Sequence, residues 1–306
     1  MGHLRLGAVL AASVSVLVLA FLVPVPAYAA PTEESTLPGV NQFTSCTPAP
    51  EHQRPVVLVH GNGSGMAATW RTLSKRLSDS GFCVFALDYG RHQPGSDENL
   101  LDLAGGSDIG ESADVLAAFI SKVRSATAAD KVDVVAHSMG ALTARHYLKF
   151  VERNTIHTVV SVGGTNHGST FESNTDLPLG SNSEIRRQAV AAGLPADEVL
   201  AATVGPAYAQ QMAGSSFLTQ LNAGGDTVPG VDYVAVATRG DRVVTPPESA
   251  FLTAGPDATV RNVWVQDGCP GLAVDHMGLT THPRSLWLIH TALDPDHADT
   301  NPAPCP

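Results

Sequence analysis

From Pro55 onward the chain alternates short unbroken apolar runs with longer segments whose apolar residues recur every three or four positions. "VVLVHG" (Val56–Gly61) reads as a buried strand ending in a glycine-rich loop. "TWRTLSKRLSDSG" places Trp70, Leu73 and Leu77 at helical spacing and stops at Gly81. "CVFALDYG" (Cys83–Gly90) predicts a second strand, and "IGESADVLAAFISKVRSAT" an amphipathic helix. "KVDVVAHS" predicts a strand, "GALTARHYLKFVE" a helix, and "HTVVSVGG" (His157–Gly164) another strand. Strands alternating with helices require right-handed crossovers. The expected class is therefore α/β, with a mostly parallel sheet covered by helices on both faces. Ligands of such sheets sit at the carboxyl ends of the strands.

The alternation breaks between Thr165 and Asp226. "SEIRRQAVAAG" offers Ser183 as N-cap and Gly193 as stop. "PADEVLAATVG" offers Pro195 in a first turn and Gly205, "PAYAQQMAG" offers Pro206 and Gly214, and "SSFLTQLNAGG" ends at Gly224. Residues 165–226 read equally as a small helical cap over the sheet edge or as a crossover with extra helices. Leu194, Val199, Leu200, Met212, Phe217 and Leu221 exceed what a solvated loop needs, and some are expected to wall a ligand groove. Beyond it, "VDYVAVATRGD" and "TVRNVWVQD" predict strands, "HMGLTTHP" a loop and "RSLWLIHTAL" a last helix.

The first residues change the picture of compartment. Arg5 precedes an apolar run, Leu6–Val23, then Pro24 and the small residues Ala27 and Ala29. Residues 1–29 are expected to be a secretory signal peptide. Residues 30–54, rich in Pro, Ser, Thr and Glu, read as an irregular lead-in to a domain spanning 55–306. No later run is long and apolar enough to span a bilayer. The chain carries 18 Lys+Arg against 29 Asp+Glu, a net −11, which argues against nucleic acid or an anionic membrane as partner. Four cysteines, Cys46, Cys83, Cys269 and Cys305, suit two disulfides in an exported protein. Zinc is disfavoured because no two are close enough for a Cys-x-x-Cys arm. The expected pairs are Cys46–Cys83 and Cys269–Cys305, each tying a terminal segment to the sheet.

The candidate chemistry lies in "AHSMG" (Ala136–Gly140), where a strand turns abruptly into a helix. Such a turn lifts a serine clear of the sheet and tolerates only small residues two positions away on either side. Ala136 stands where glycine is usual and still meets the size requirement. Ser138 is the candidate nucleophile. It needs a base oriented by an acid, in the chain order serine, acid, histidine. Asp241 follows a strand and is the candidate acid, with Asp267 the alternative at the next strand end. Asp232 opens a strand, at the wrong edge. His276 is the candidate base, with His282 close enough to compete. His290 lies in a predicted helix and His297 in the tail. His137 is expected to pack beneath the turn, and His167 to line the pocket or serve a turn. Oxyanion donors are expected from the backbone of Met139 and of Asn62.

These residues resemble the α/β-hydrolase superfamily, and within it the secreted bacterial class 2 triacylglycerol lipases. The resemblance rests on "VVLVHGNG", "KVDVVAHSMGALTARHYLK", "VVSVGGTNHGS", "GSSFLTQLN", "VDYVAVATRGDRVVTP" and "DHMGL", from Val56 to about Leu293. It implies an α/β-hydrolase fold with Ser138 as nucleophile, Asp241 as acid, His276 as base, and Asn62 and Met139 as oxyanion donors. The long 165–226 insert and the four cysteines depart from the smallest such lipases. The expectation is a secreted, monomeric serine hydrolase that needs no cofactor or metal and cleaves carboxylic esters. Acylglycerols, met at a lipid–water interface, are the expected substrates. An acyltransferase with the same triad and a non-catalytic binding module are the rival readings.

Overall fold

In the computed structural model the described residues are 37–171 and 184–305. The expected signal peptide, the start of the lead-in and the proposed N-cap Ser183 lie outside them. The strands are β1 (Val56–Val59), β2 (Val84–Leu87), β3 (Val132–His137), β4 (Ile156–Val162), β5 (Asp232–Ala237) and β6 (Thr259–Trp264). They form one sheet in the order β2-β1-β3-β4-β5-β6, and every pair is parallel. All carboxyl ends therefore share one edge.

The helices are α1 (Met66–Asp79), α2 (Ile109–Thr127), α3 (Gly140–His146), α4 (Glu184–Ala191), α5 (Ala196–Val204), α6 (Pro206–Gln210), α7 (Ser216–Asn222), α8 (Pro283–Leu293) and α9 (His297–Thr300). Capping explains several boundaries. Asp108 accepts the N–H groups of Gly110 and Glu111 at the start of α2, and Ser215 accepts that of Leu218 at the start of α7. Pro206 and Pro283 occupy first turns. Pro195, by contrast, is the N-cap of α5 and not part of its first turn. The helix expected through Glu152 is α-helical only to His146, and Tyr147–Val151 is a π turn.

Alternation along the strands divides the core. Val57 and Val59 face a cluster with Ile109, Leu116, Ile120 and Leu142 of α2 and α3. Val56 and Leu58 face Trp70, Leu73, Leu77, Leu286 and Ile289 of α1 and α8. Central strands are buried on both faces, while the edge strand β6 carries exposed Arg261 and Asn262.

Cys46 is joined to Cys83 and Cys269 to Cys305, with Cα–Cα separations of 5.7 and 5.6 Å. The first bond fixes the lead-in beside β2, and the second fixes the tail to the turn after β6. Each contributes about 2–4 kcal/mol by restricting the unfolded chain. No helix among the described residues is long and apolar enough to cross a membrane.

Candidate active site

The turn between β3 and α3 is as tight as its sequence requires. Ser138 sits at φ 55°, a left-handed conformation that costs a non-glycine residue energy. Its N–H donates to Val162 O at 2.9 Å, locking the turn to the end of β4. Two positions on, a Cβ at Gly140 would fall 2.5 Å from His60 O and 2.6 Å from Val59 O. Two positions back, Ala136 is fully buried in β3 and paired with Val59 and Ser161. The small-residue rule is thus strict on the helix side and leaves room for one methyl on the strand side.

Asp241 and His276 arrive on the loops after β5 and β6. Nδ1 of His276 lies 2.8 Å from Oδ2 of Asp241, with both side chains buried. Oδ1 of Asp241 accepts the N–H groups of Val243 and Val244, each at 2.8 Å. The ring of His276 packs on Gly163, where a Cβ would come 2.9 Å from Leu279 Cδ1 and 3.2 Å from His276 Nδ1. Gly163 follows Val162, the partner of Ser138, so the three candidate residues lie at the same edge of the sheet.

The alternatives go elsewhere. Asp267 is exposed, accepts Trp264 N and pairs with Arg239 at 3.5 Å. Asp232 opens β5 at the opposite edge. His282 caps α8 by accepting Arg284 N. His167 pairs with Asp226 at 3.1 Å. His137 is buried beside the His276 ring, centroids 4.6 Å apart.

The loop after β1 carries Asn62, whose Nδ2 donates to Gly105 O at 3.2 Å, while Gly63 N donates to Ala104 O at 2.7 Å. His60 supports this loop from below. Its Nδ1 lies 2.8 Å from Gly61 O, and its ring stacks on Tyr89. Burial pushes the His60 pKa down to about 4, against a smaller opposing effect of the Gly61 hydrogen bond, so the ring is neutral. Met139 is fully buried at the foot of α3.

His290, Asp294 and His297 bring possible ligand atoms within 4.8 Å of one another. The two imidazoles are stacked, centroids 3.7 Å apart, so their in-plane lone pairs do not converge on one point. The guanidinium of Arg76 already bonds both rings, at 3.3 and 3.1 Å. This group packs against Phe82, just before β2, at the amino edge of the sheet. It does not fit a metal centre.

Sequence reasoning missed Thr238, whose Oγ1 donates to Val274 O at 2.6 Å, and Ser169, whose Oγ donates to Val243 O at 2.6 Å and accepts Thr245 N at 2.9 Å. Both brace the loops of His276 and Asp241. Thr238 directly follows β5, which is its only local signal, whereas Ser169 lies seven residues beyond β4 in an isolated bridge with Met212 and carries none. Phe217 and Leu221 pack into the main core. Leu200 joins Phe171, Val204 and Tyr208, with Leu103 and Val243 against them, in a separate cluster.

Solved structures with this architecture include Aspergillus fumigatus lipase B, 18% identical with a TM-score of 0.59, covering 83% of this chain and 54% of that one. They also include the mature form of Bacillus licheniformis lipase BlEst2, 16% identical with a TM-score of 0.53, covering 81% of this chain and 94% of that one. This chain thus spans about half the length of the fungal protein. At these identities the likeness establishes the α/β-hydrolase fold. The family follows from the sequence itself, which matches the lipase (class 2) model over residues 53–269: the chain belongs to the class 2 lipase family, a group of carboxylic ester hydrolases.

Proposed function

We propose that the protein is an exported serine esterase acting on acylglycerols, with Ser138 as nucleophile, His276 as base and Asp241 as the acid that orients it. The observation that carries this reading is the 2.8 Å contact between His276 and Asp241, beside a serine held at φ 55°. His276 takes the Ser138 proton on Nε2 as Oγ attacks the ester carbonyl. Asp241 steadies the resulting imidazolium. Backbone N–H groups of Asn62 and Met139 receive the oxyanion, aided by the positive end of α3. Collapse of the tetrahedral intermediate passes the proton to the leaving alcohol, and water then cleaves the acyl-enzyme by the same steps in reverse.

Exposed apolar side chains support a lipid substrate. Met277, next to the base, is 44% exposed, and Leu100, Leu101 and Leu194 are 62%, 58% and 53% exposed. The N–H groups of Leu100 and Leu101 donate to Ala202 and Thr203 carbonyls, tying that loop to α5 at the carboxyl edge. Helices α4–α6 act as the cap. Two disulfides and the apolar, alanine-terminated leader support export.

The test is labelling with a fluorophosphonate probe, followed by peptide mapping and hydrolysis of graded p-nitrophenyl esters and emulsified triglyceride. Labelling at Ser138 with turnover of both substrate types is expected. Absence of labelling excludes the serine mechanism. Transfer of acyl groups to an added alcohol in preference to water identifies an acyltransferase instead.

A further inference from the structure

His137 is fully enclosed yet lies outside the triad and has an unusual set of neighbours. Its ring stands edge-on to Trp70, centroids 6.3 Å apart, and tilted against His276, centroids 4.6 Å apart. Its Nε2 lies 3.2 Å from the main-chain carbonyl oxygen of His276, across 139 residues of sequence. Its Nδ1 is buried with no hydrogen-bond partner. A carbonyl only accepts, so this contact requires the proton on Nε2. Burial, followed by the proximity of His276, holds His137 well below the ordinary histidine range, so the ring is neutral and carries a single N–H.

The His276 segment is a loop, and its main chain is clamped at two points. Thr238, at the end of β5 and three residues before Asp241, holds Val274 O. His137, the residue before Ser138, holds the carbonyl of His276 itself. Each of the strands that supply the other two triad residues thus sends one donor to the base loop. Asp241 orients the imidazole through Nδ1 but leaves the backbone beneath it free to shift. A fixed backbone is the second requirement for constant reach between the base and Ser138.

We infer that His137 is a positioning residue: its Nε2–H, bonded to the His276 carbonyl, sets the base at a fixed distance from the nucleophile next door in sequence. This rests on the proposed triad. It gives a reason for histidine before Ser138 that filling space does not, since an apolar side chain fills the same volume without a donor.

The test compares His137→Gln, whose Nε2 keeps a donor, with His137→Met, of similar reach and no donor. Turnover of p-nitrophenyl butyrate and the rate of fluorophosphonate labelling are measured on folded protein. His137→Met is expected to lose about tenfold to a hundredfold in kcat with KM within about twofold, because displacement of the base impairs the chemical step and not binding. His137→Gln is expected to recover most of that loss. Equal kcat in the two variants overturns the inference. The wild-type protein supplies a measurement that needs no mutation: nitrogen-15 NMR of the histidine side chains at pH 7 is expected to show His137 neutral with its proton on Nε2. A proton on Nδ1 overturns the inference even if His137→Met does not fold. Ser138→Ala separates the two levels of argument. Full activity there defeats the triad, whereas an inactive Ser138→Ala with equal Gln and Met variants defeats only the role of His137.

Discussion

Asp241 meets His276 with one oxygen and its own loop with the other: Oδ2 lies 2.8 Å from His276 Nδ1, while Oδ1 accepts two backbone N–H groups at the same distance. The carboxylate is therefore oriented by its own loop, and this determines what an amide does there. In Asp241→Asn the carbonyl oxygen must stay on the Val243 and Val244 side, because an amino group there faces two donors. The amino group then faces His276 Nδ1 and drives the imidazole proton to Nε2, where it blocks proton transfer from Ser138.

Asp241→Asn is expected to lose about 10⁴-fold in kcat through this forced tautomer. Ser138→Ala and His276→Ala each lose about 10⁴–10⁶-fold, and the double variant little more. Asp267→Asn, exposed and paired with Arg239, stays near wild type. Ester hydrolysis by the purified variants, with circular dichroism as folding control, reads this out. Normal turnover in Asp241→Asn together with collapse in Asp267→Asn moves the acid to the next strand.

Arg145 of α3 is almost fully buried and bonds Asn166 O, Asp226 O and Asn222 Oδ1. Its charge is balanced by Asp226, 3.5 Å away, which also holds His167 and Thr253 N. Asp226→Ala leaves a buried guanidinium unpaired and is expected to destabilise the protein by about 3–5 kcal/mol. Urea unfolding measures this. A loss below about 1 kcal/mol shows that the charge finds another partner or water.

His60 and His290 are both pushed down to about 4 by burial, with His297 and Arg76 adding to the effect at His290. Between pH 6.5 and 4 the unfolded chain therefore binds protons that the folded one refuses. Stability is full above about pH 6.5 and falls as pH drops through this window, by up to about 3 kcal/mol per histidine at pH 4. Guanidinium unfolding at pH 7, 5.5 and 4.5 is expected to show this decline, and His290→Gln a shallower one. Identical slopes in wild type and His290→Gln remove His290 from the account.

The exposed leucines give a test that separates lipid from soluble substrates. Leu101→Glu and Leu194→Glu replace exposed side chains, so folding is unaffected. Hydrolysis of emulsified triglyceride is expected to fall roughly tenfold per substitution, the equivalent of losing one buried leucine at the lipid surface. Turnover of p-nitrophenyl acetate stays within twofold. Equal losses on both substrates place these residues in the catalytic cavity and not at an interface.

Periodicity and punctuation made much of this molecule legible. The unbroken run before Ser138 and the helical spacing after it mark a strand and a helix, although α3 is itself buried from Gly140 through Arg145. The sharp turn between them follows from Gly140 and the small Ala136. The cysteines also read correctly, since each pair had one member on a loose terminal segment and one beside the sheet. Local pattern does not encode which distant groups meet. Asp241 and Asp267 both close the ends of predicted strands, and only the fold turns one inward, onto the amides of Val243 and Val244, and the other back onto Trp264 N and Arg239. The same holds for Phe217 and Leu221, apolar like Leu200 but drawn into the main core by the path of α7. His137 and Thr238 are the clearest case. A residue type sets which donors and acceptors it carries, whereas the partner 139 or 36 residues away is chosen by how the loops cross at the sheet edge.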